Sequence, residues 1–115
     1  IVAAMVNVSI SAHMPECLVL PYRPSVLNAG LPGEKKYCYR LAGNSCLAGD
    51  VLGDYSFDTP LSPGDKIIFE DMIHYTMVKT TFFNGVKHPS IGIWENNQFR
   101  LLRKFSYQQF KDKLG

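Results

Sequence analysis

Cys46 lies in the run Gly43-Asn44-Ser45-Cys46-Leu47-Ala48-Gly49-Asp50-Val51-Leu52-Gly53-Asp54, among three glycines and two carboxylates. Glycine lets backbone approach a ligand closely or take positive φ. A thiol on such a turn, beside acids, is placed for proton transfer or nucleophilic chemistry on a group that the backbone lets near. The other reading is a small buried residue ahead of a turn, the usual setting of a free cysteine. Other side chains with chemical capacity each have an ordinary reading too. Tyr75 alone reads as a half-buried strand tyrosine, Phe83 as core, Glu16 as exposed and His13 as a structural histidine. A thiol hydrolase pairing Cys46 with His74 has little support, because no oxyanion arrangement or orienting acid stands at a spacing that would serve it.

The elements that must position these residues are short and β-rich. Ile1 to Ala12 alternates around Val6, Val8 and Ile10 and predicts a strand. Met14 to Val26 carries Pro15, Pro21 and Pro24 and predicts an irregular connection. Asn28 to Gly33 is a turn cluster, and Tyr37 to Ala42 is a strand that feeds the glycine-rich segment. Thr59 to Asp65 is a turn ahead of an expected buried strand from Lys66 to Glu70. Tyr75 to Phe82 reads as a short helix or a strand, and Asn84-Gly85 as a turn. Ser90 to Trp94 and Gln98 to Arg103 form a hairpin through Glu95-Asn96-Asn97. Ser106-Tyr107-Gln108-Gln109 is a capping box opening a last helix near the C-terminus. Short strands, frequent turns and little helix predict a mainly β, mostly antiparallel domain.

The 115 residues, 46% hydrophobic, suffice for one domain (1–115) with its own core. A formal net charge of +2 gives no case for nucleic acid. Cys17, Cys38 and Cys46 cannot all pair and do not form a disulfide framework, so a reducing, cytoplasmic setting is expected. His13 and Cys17 stand four apart, with His74 and His88 distant, which is weak support for a metal, and none is expected. The apolar start Ile1-Val2-Ala3-Ala4-Met5-Val6 is too short for a membrane span and has no basic leader. It opens inside an expected strand, so the chain reads as part of something longer.

Ala12-His13-Met14-Pro15, Pro21-Tyr22-Arg23-Pro24, Ser45-Cys46-Leu47-Ala48-Gly49-Asp50, His74-Tyr75-Thr76-Met77 and Phe83-Asn84-Gly85, in that order, resemble carboxynorspermidine (carboxyspermidine) decarboxylases. These belong to the alanine-racemase-like, fold type III decarboxylases that depend on pyridoxal 5′-phosphate. The resemblance implies an antiparallel barrel- or sandwich-like C-terminal β domain, with a C-terminal helix. The family's N-terminal β/α barrel, with the lysine that binds the cofactor covalently, is absent from this chain. The resemblance further implies a cytoplasmic homodimer with shared active sites. Cys46 matches the cysteine that reaches into the partner's site and protonates the reacting carbon after CO2 leaves. Tyr75 matches a tyrosine whose hydroxyl contacts the cofactor phosphate. Phe83 matches an aromatic wall of the pocket, and Asp50 a carboxylate near the interface. The chain alone is expected to be inactive, and a non-catalytic binding module that keeps the fold is the alternative.

Two departures bear on the substrate. Relatives acting on ornithine and diaminopimelate have an acid directly after the cysteine, where this chain has Leu47. Diaminopimelate enzymes hold a distal carboxylate with Arg-Pro-x-x-Tyr, and the matching run here is Met14-Pro15-Glu16-Cys17-Leu18. A substrate with a second carboxylate is therefore not expected. A carboxylated polyamine is cationic at its far end, which suits Glu16 and Asp50.

Overall fold

A computed structural model describes residues 1–115. Its main sheet holds β1 (Val2–Met5), β2 (Tyr37–Ala42) and β3 (Val51–Phe57) in the order β1-β2-β3. Strand β2 is central because its alternation lets Leu41 face inward, fully buried, while Arg40 faces out. It runs parallel to β1, with Val2 opposite Tyr39, and antiparallel to β3, with Tyr37 opposite Phe57. The β2–β3 register slips between Leu41 and Ala42, where the ladder opens into the loop that carries Cys46. That loop is thus the connection of a hairpin, held at both ends by paired strand.

Strand β3 was not anticipated, because Val51-Leu52-Gly53-Asp54 read as the tail of the glycine-rich turn. Gly53 has φ of +144°, and a Cβ there would meet the Arg23 side chain at 2.9 Å. The missing side chain lets Arg23 lie across the strand. Its guanidinium stands 4.2 Å from the centre of the Tyr55 ring, and Nη1 donates to the Asp54 carbonyl at 3.0 Å. Tyr55 is buried and donates its hydroxyl to the Pro24 carbonyl at 2.6 Å. Burial pushes that hydroxyl up to about 12, so it remains a donor. The core is Ile10, Met14, Cys17, Val26, Leu41, Leu52, Tyr55 and Phe57.

Three expectations need correction. The first strand ends at Met5, and α1 (Ile10–His13) follows where alternation predicted more strand. Ser9 caps α1 through a hydrogen bond from the Ala12 N–H to its hydroxyl, and a capping serine overrides so short an alternating pattern. The proline-bearing connection contains one short helix, α2 (Glu16–Val19), with Pro15 at its start, a position that proline tolerates. Lys66 to Glu70 is neither a buried nor a regular strand. It makes one isolated bridge, Val26 with Phe69, and Ile68 is 54% exposed. Its neighbour, the segment after Pro24, is too irregular to offer a full ladder.

The remaining elements follow local signals. Tyr75–Lys79 is helical (α3), which settles the helix-or-strand ambiguity. Strands β4 (Ile91–Glu95) and β5 (Gln98–Arg103) pair as a separate antiparallel hairpin, turned by Asn96 and Asn97 at φ of 52° and 58°. Helix α4 (Tyr107–Leu114) opens with the expected capping box between Ser106 and Gln109. The architecture is mainly β, in two sheets, with few helices and no β/α barrel. No helix is long and apolar enough to cross a membrane.

Candidate active site

The Cys46 loop closes on itself. The Gly43 N–H donates to the Asp50 carbonyl at 2.7 Å, and the Asp50 N–H donates to the Leu47 carbonyl at 3.0 Å. Cys46 is exposed, which removes the reading of a buried structural thiol. Cys17 is the buried cysteine and sits in the core.

Asp50 lies beneath this loop and is only 4% exposed. One carboxylate oxygen, Oδ1, accepts from the backbone N–H groups of Ile10 at 2.6 Å and Ser11 at 3.3 Å. The other, Oδ2, accepts from the Ser45 N–H at 3.0 Å. Burial pushes this carboxyl up, but hydrogen bonds from Ser45, Ser9 and Ile10 outweigh it and hold it below the usual range. The aspartate is therefore ionised, and both oxygens are engaged within the chain. The hydroxyls of Ser11 and Ser45 also meet at 3.2 Å. The serines of this cluster were missed at the sequence level. Ser9 ahead of a short apolar run was the one available signal, as a helix N-cap.

Tyr75 and Glu16 come together elsewhere, in a cleft of about 580 Å³ between α2 and α3. Tyr22, Asp71, His74, Thr76 and Lys79 also line it. Tyr75, the first residue of α3, is 67% exposed, and its hydroxyl makes no hydrogen bond within the chain. The Lys79 ammonium stands 5.3 Å from the centre of its ring. Glu16 opens α2, and its Oε1 accepts from the Thr76 hydroxyl. Its Oε2 is buried and has no partner. A carboxylate oxygen withdrawn from water and left unpaired is costly, and it suits a cationic ligand. Thr76 was not singled out from the sequence, because a threonine beside a tyrosine carries no pattern.

Phe83 lies outside this cleft's lining and is 46% exposed. It starts a tight turn in which Asn84 and Gly85 take φ of 62° and 70°. Cys46 and Asp50 do not line the cleft either. Within one chain, then, Glu16 and Tyr75 share a site, while the thiol stands on a separate loop. His13 has a structural role. Its Nδ1 accepts from the Ser9 N–H at 3.1 Å, so Nε2 carries the proton and donates to the Lys87 carbonyl at 2.9 Å.

The donors here fit one edge of pyridoxal 5′-phosphate. Tyr75 offers a free neutral hydroxyl for phosphate, with the Lys79 cation nearby, and Glu16 offers an unpaired anion for the opposite charge.

The chain is 58% identical over 113 residues to a carboxyaminopropylagmatine decarboxylase of Synechocystis sp., an alignment covering 97% of this chain and 29% of that protein. It is 42% identical to a carboxynorspermidine/carboxyspermidine decarboxylase of Campylobacter jejuni, over 93% of this chain and 31% of the relative. The crystal structure of carboxynorspermidine decarboxylase from Campylobacter jejuni, complexed with norspermidine, superposes with a TM-score of 0.91 at 41% identity. That match covers 96% of this chain and 34% of the solved one. The chain thus spans 29% to 31% of the length of the curated relatives it matches. Residues 2–73 match the C-terminal sheet domain of pyridoxal-dependent decarboxylases, and the chain belongs to that family.

Proposed function

We propose that this chain is the C-terminal part of a pyridoxal 5′-phosphate-dependent decarboxylase that converts carboxynorspermidine or carboxyspermidine to norspermidine or spermidine and CO2. An N-terminal β/α barrel of the same enzyme supplies the lysine that holds the cofactor. The enzyme is a cytoplasmic homodimer whose two sites are shared between subunits. The observation that carries the substrate reading is Glu16, a carboxylate that lines the cleft also exposing Tyr75 and has one oxygen buried without a partner. The one lysine lining that cleft, Lys79, stands over the Tyr75 ring, at the phosphate end. A distal ammonium finds a partner at Glu16, and a distal carboxylate meets an anion there.

The roles follow from chemistry. When bound, the cofactor takes up the electron pair released as CO2 leaves. Tyr75 donates its hydroxyl to the cofactor phosphate and fixes it without adding charge. Cys46 delivers a proton to the carbon that lost CO2, in the partner's site. Phe83, which lies outside the cleft within one chain, is proposed as an aromatic wall of the complete pocket shared between subunits. Of the two carboxylates expected at the substrate, Asp50 has both oxygens taken by backbone, which leaves Glu16 as the ammonium partner.

A second reading places a guanidine at the substrate's far end. It is favoured by the 58% identity to the carboxyaminopropylagmatine decarboxylase. A guanidinium also suits Glu16, since its fork matches a carboxylate. The test is CO2 release by the full-length enzyme from carboxynorspermidine, carboxyspermidine, carboxyaminopropylagmatine and diaminopimelate. At least one cationic substrate should exceed diaminopimelate in kcat/KM by about 100-fold, the scale set by an uncompensated buried charge. Equal efficiency on diaminopimelate would overturn the reading.

A further inference from the structure

The Cys46 thiol makes no hydrogen bond of its own, so its place is decided by the loop that carries it. That loop is organised around Asp50. A Cβ on Gly43 would stand 2.6 Å from the Asp50 carboxyl carbon and both its oxygens, so backbone is packed directly on the carboxylate. Oδ2 holds Ser45, the residue before the cysteine, and Oδ1 holds the start of α1 through Ile10 and Ser11. Helix α1 is anchored in turn to the segment that follows Tyr75. The Thr81 N–H donates to the Ala12 carbonyl at 2.8 Å, and His13 Nε2 donates to the Lys87 carbonyl at 2.9 Å. One buried carboxylate therefore ties the Cys46 loop to the framework carrying Tyr75 and Phe83.

We propose that Asp50 is a positioning residue for proton delivery, holding the Cys46 loop on α1 so that the thiol meets the reacting carbon from one side. The proposal rests on the reading of Cys46 as proton donor. In that step the bond to CO2 has broken, and its electron pair forms the new C–H bond. The Cys46 S–H bond breaks, and the thiolate regains its proton from water. Misplacement of a reacting group by about 1 Å costs about 100-fold in rate. Asparagine cannot replace the aspartate, because its amide nitrogen would face a backbone N–H at Ile10 and Ser11 or at Ser45.

The test runs the full-length, cofactor-loaded enzyme on carboxynorspermidine in deuterated water. It reads kcat, KM, cofactor absorbance and the face of the product carbon that carries deuterium. Wild type should label one face. Asp50→Asn should lower kcat about 10- to 100-fold, leave KM and cofactor absorbance in place, and label both faces. Ser11→Ala removes the hydroxyl contacts to Ser45 at 3.2 Å and to Ser9 at 3.0 Å while keeping the backbone N–H on Asp50, and should show a smaller change of the same kind, which decides the matter if Asp50→Asn does not fold. Cys46→Ala separates the two ideas. Scrambled label in Cys46→Ala with single-face label in folded Asp50→Asn and Ser11→Ala would overturn the role of Asp50 alone. A normal rate and single-face label in Cys46→Ala would overturn the donor assignment beneath it.

Discussion

Glu16→Gln in the full-length enzyme is the sharpest test of the cleft. In the structure the carboxylate divides its work: Oε1 accepts from the Thr76 hydroxyl, and Oε2 is buried and unpartnered. Glutamine keeps the shape and removes the charge. Its oxygen can keep the Thr76 contact, which turns the amide N–H2 toward the place where Oε2 stood. An incoming ammonium then meets a donor where it needs an acceptor. Hydrogen bonds to charged groups contribute about 1.5–3 kcal/mol, so KM for the polyamine should rise by about 10- to 150-fold. In the proposed reading Tyr75, on a different element, holds the cofactor phosphate, so cofactor affinity should not change. Folding stability should hold or rise slightly, because an unpaired buried anion has been removed. The assay is steady-state CO2 release across substrate concentration, with cofactor binding followed by absorbance and stability by thermal melting. An unchanged KM in a folded, cofactor-loaded variant would remove Glu16 from the substrate site. A parallel loss of cofactor would show that the substitution had disturbed the whole cleft.

Other expectations follow from the same contacts. Burial, the main cause, lowers the pKa of His13 and of His88 below the ordinary 6.5 despite the backbone hydrogen bonds that raise them. Their contribution to stability is therefore complete above pH 6.5 and is lost as pH falls through the lowered folded values. Melting temperature should drop between pH 7.5 and 5.5 for this reason, and His13→Gln should flatten the dependence; an equal slope in that variant would refute the assignment to His13. Tyr55→Phe leaves the Pro24 carbonyl buried without its 2.6 Å donor. It should cost about 1–3 kcal/mol by denaturant unfolding, and no loss would mean that water or another group satisfies Pro24. Mixing Cys46→Ala subunits with subunits lacking the barrel lysine should restore about a quarter of the activity, as random pairing of a twofold dimer with shared sites requires. No recovery, with subunit exchange confirmed, would count against sites shared in this way.

Some of this chain was legible residue by residue. The capping box at Ser106 and Gln109 formed as read, because a cap is settled by atoms three residues apart. The hairpin through Asn96-Asn97 formed for a similar reason, since two adjacent residues at positive φ set the turn. The order of motifs around Cys46, Tyr75 and Phe83 was enough to place the chain among decarboxylases, and the family match over residues 2–73 agrees. Other features depended on partners distant in sequence. Strand β3 is stabilised by pairing with β2 and by Arg23 lying across Gly53, and neither is visible in Val51 to Asp54 alone. Lys66 to Glu70 had the pattern of a strand but lacked a regular neighbour to complete it. Asp50 shows the division most clearly. Its type and position near Cys46 marked it as a group for substrate, but its Oδ1 accepts from Ile10 and Ser11, 40 and 39 residues earlier. Local sequence determines which torsions and caps a segment prefers. Which buried N–H groups a carboxylate must satisfy is decided only when distant segments pack, because the cost of leaving them unpaired arises only once water is excluded.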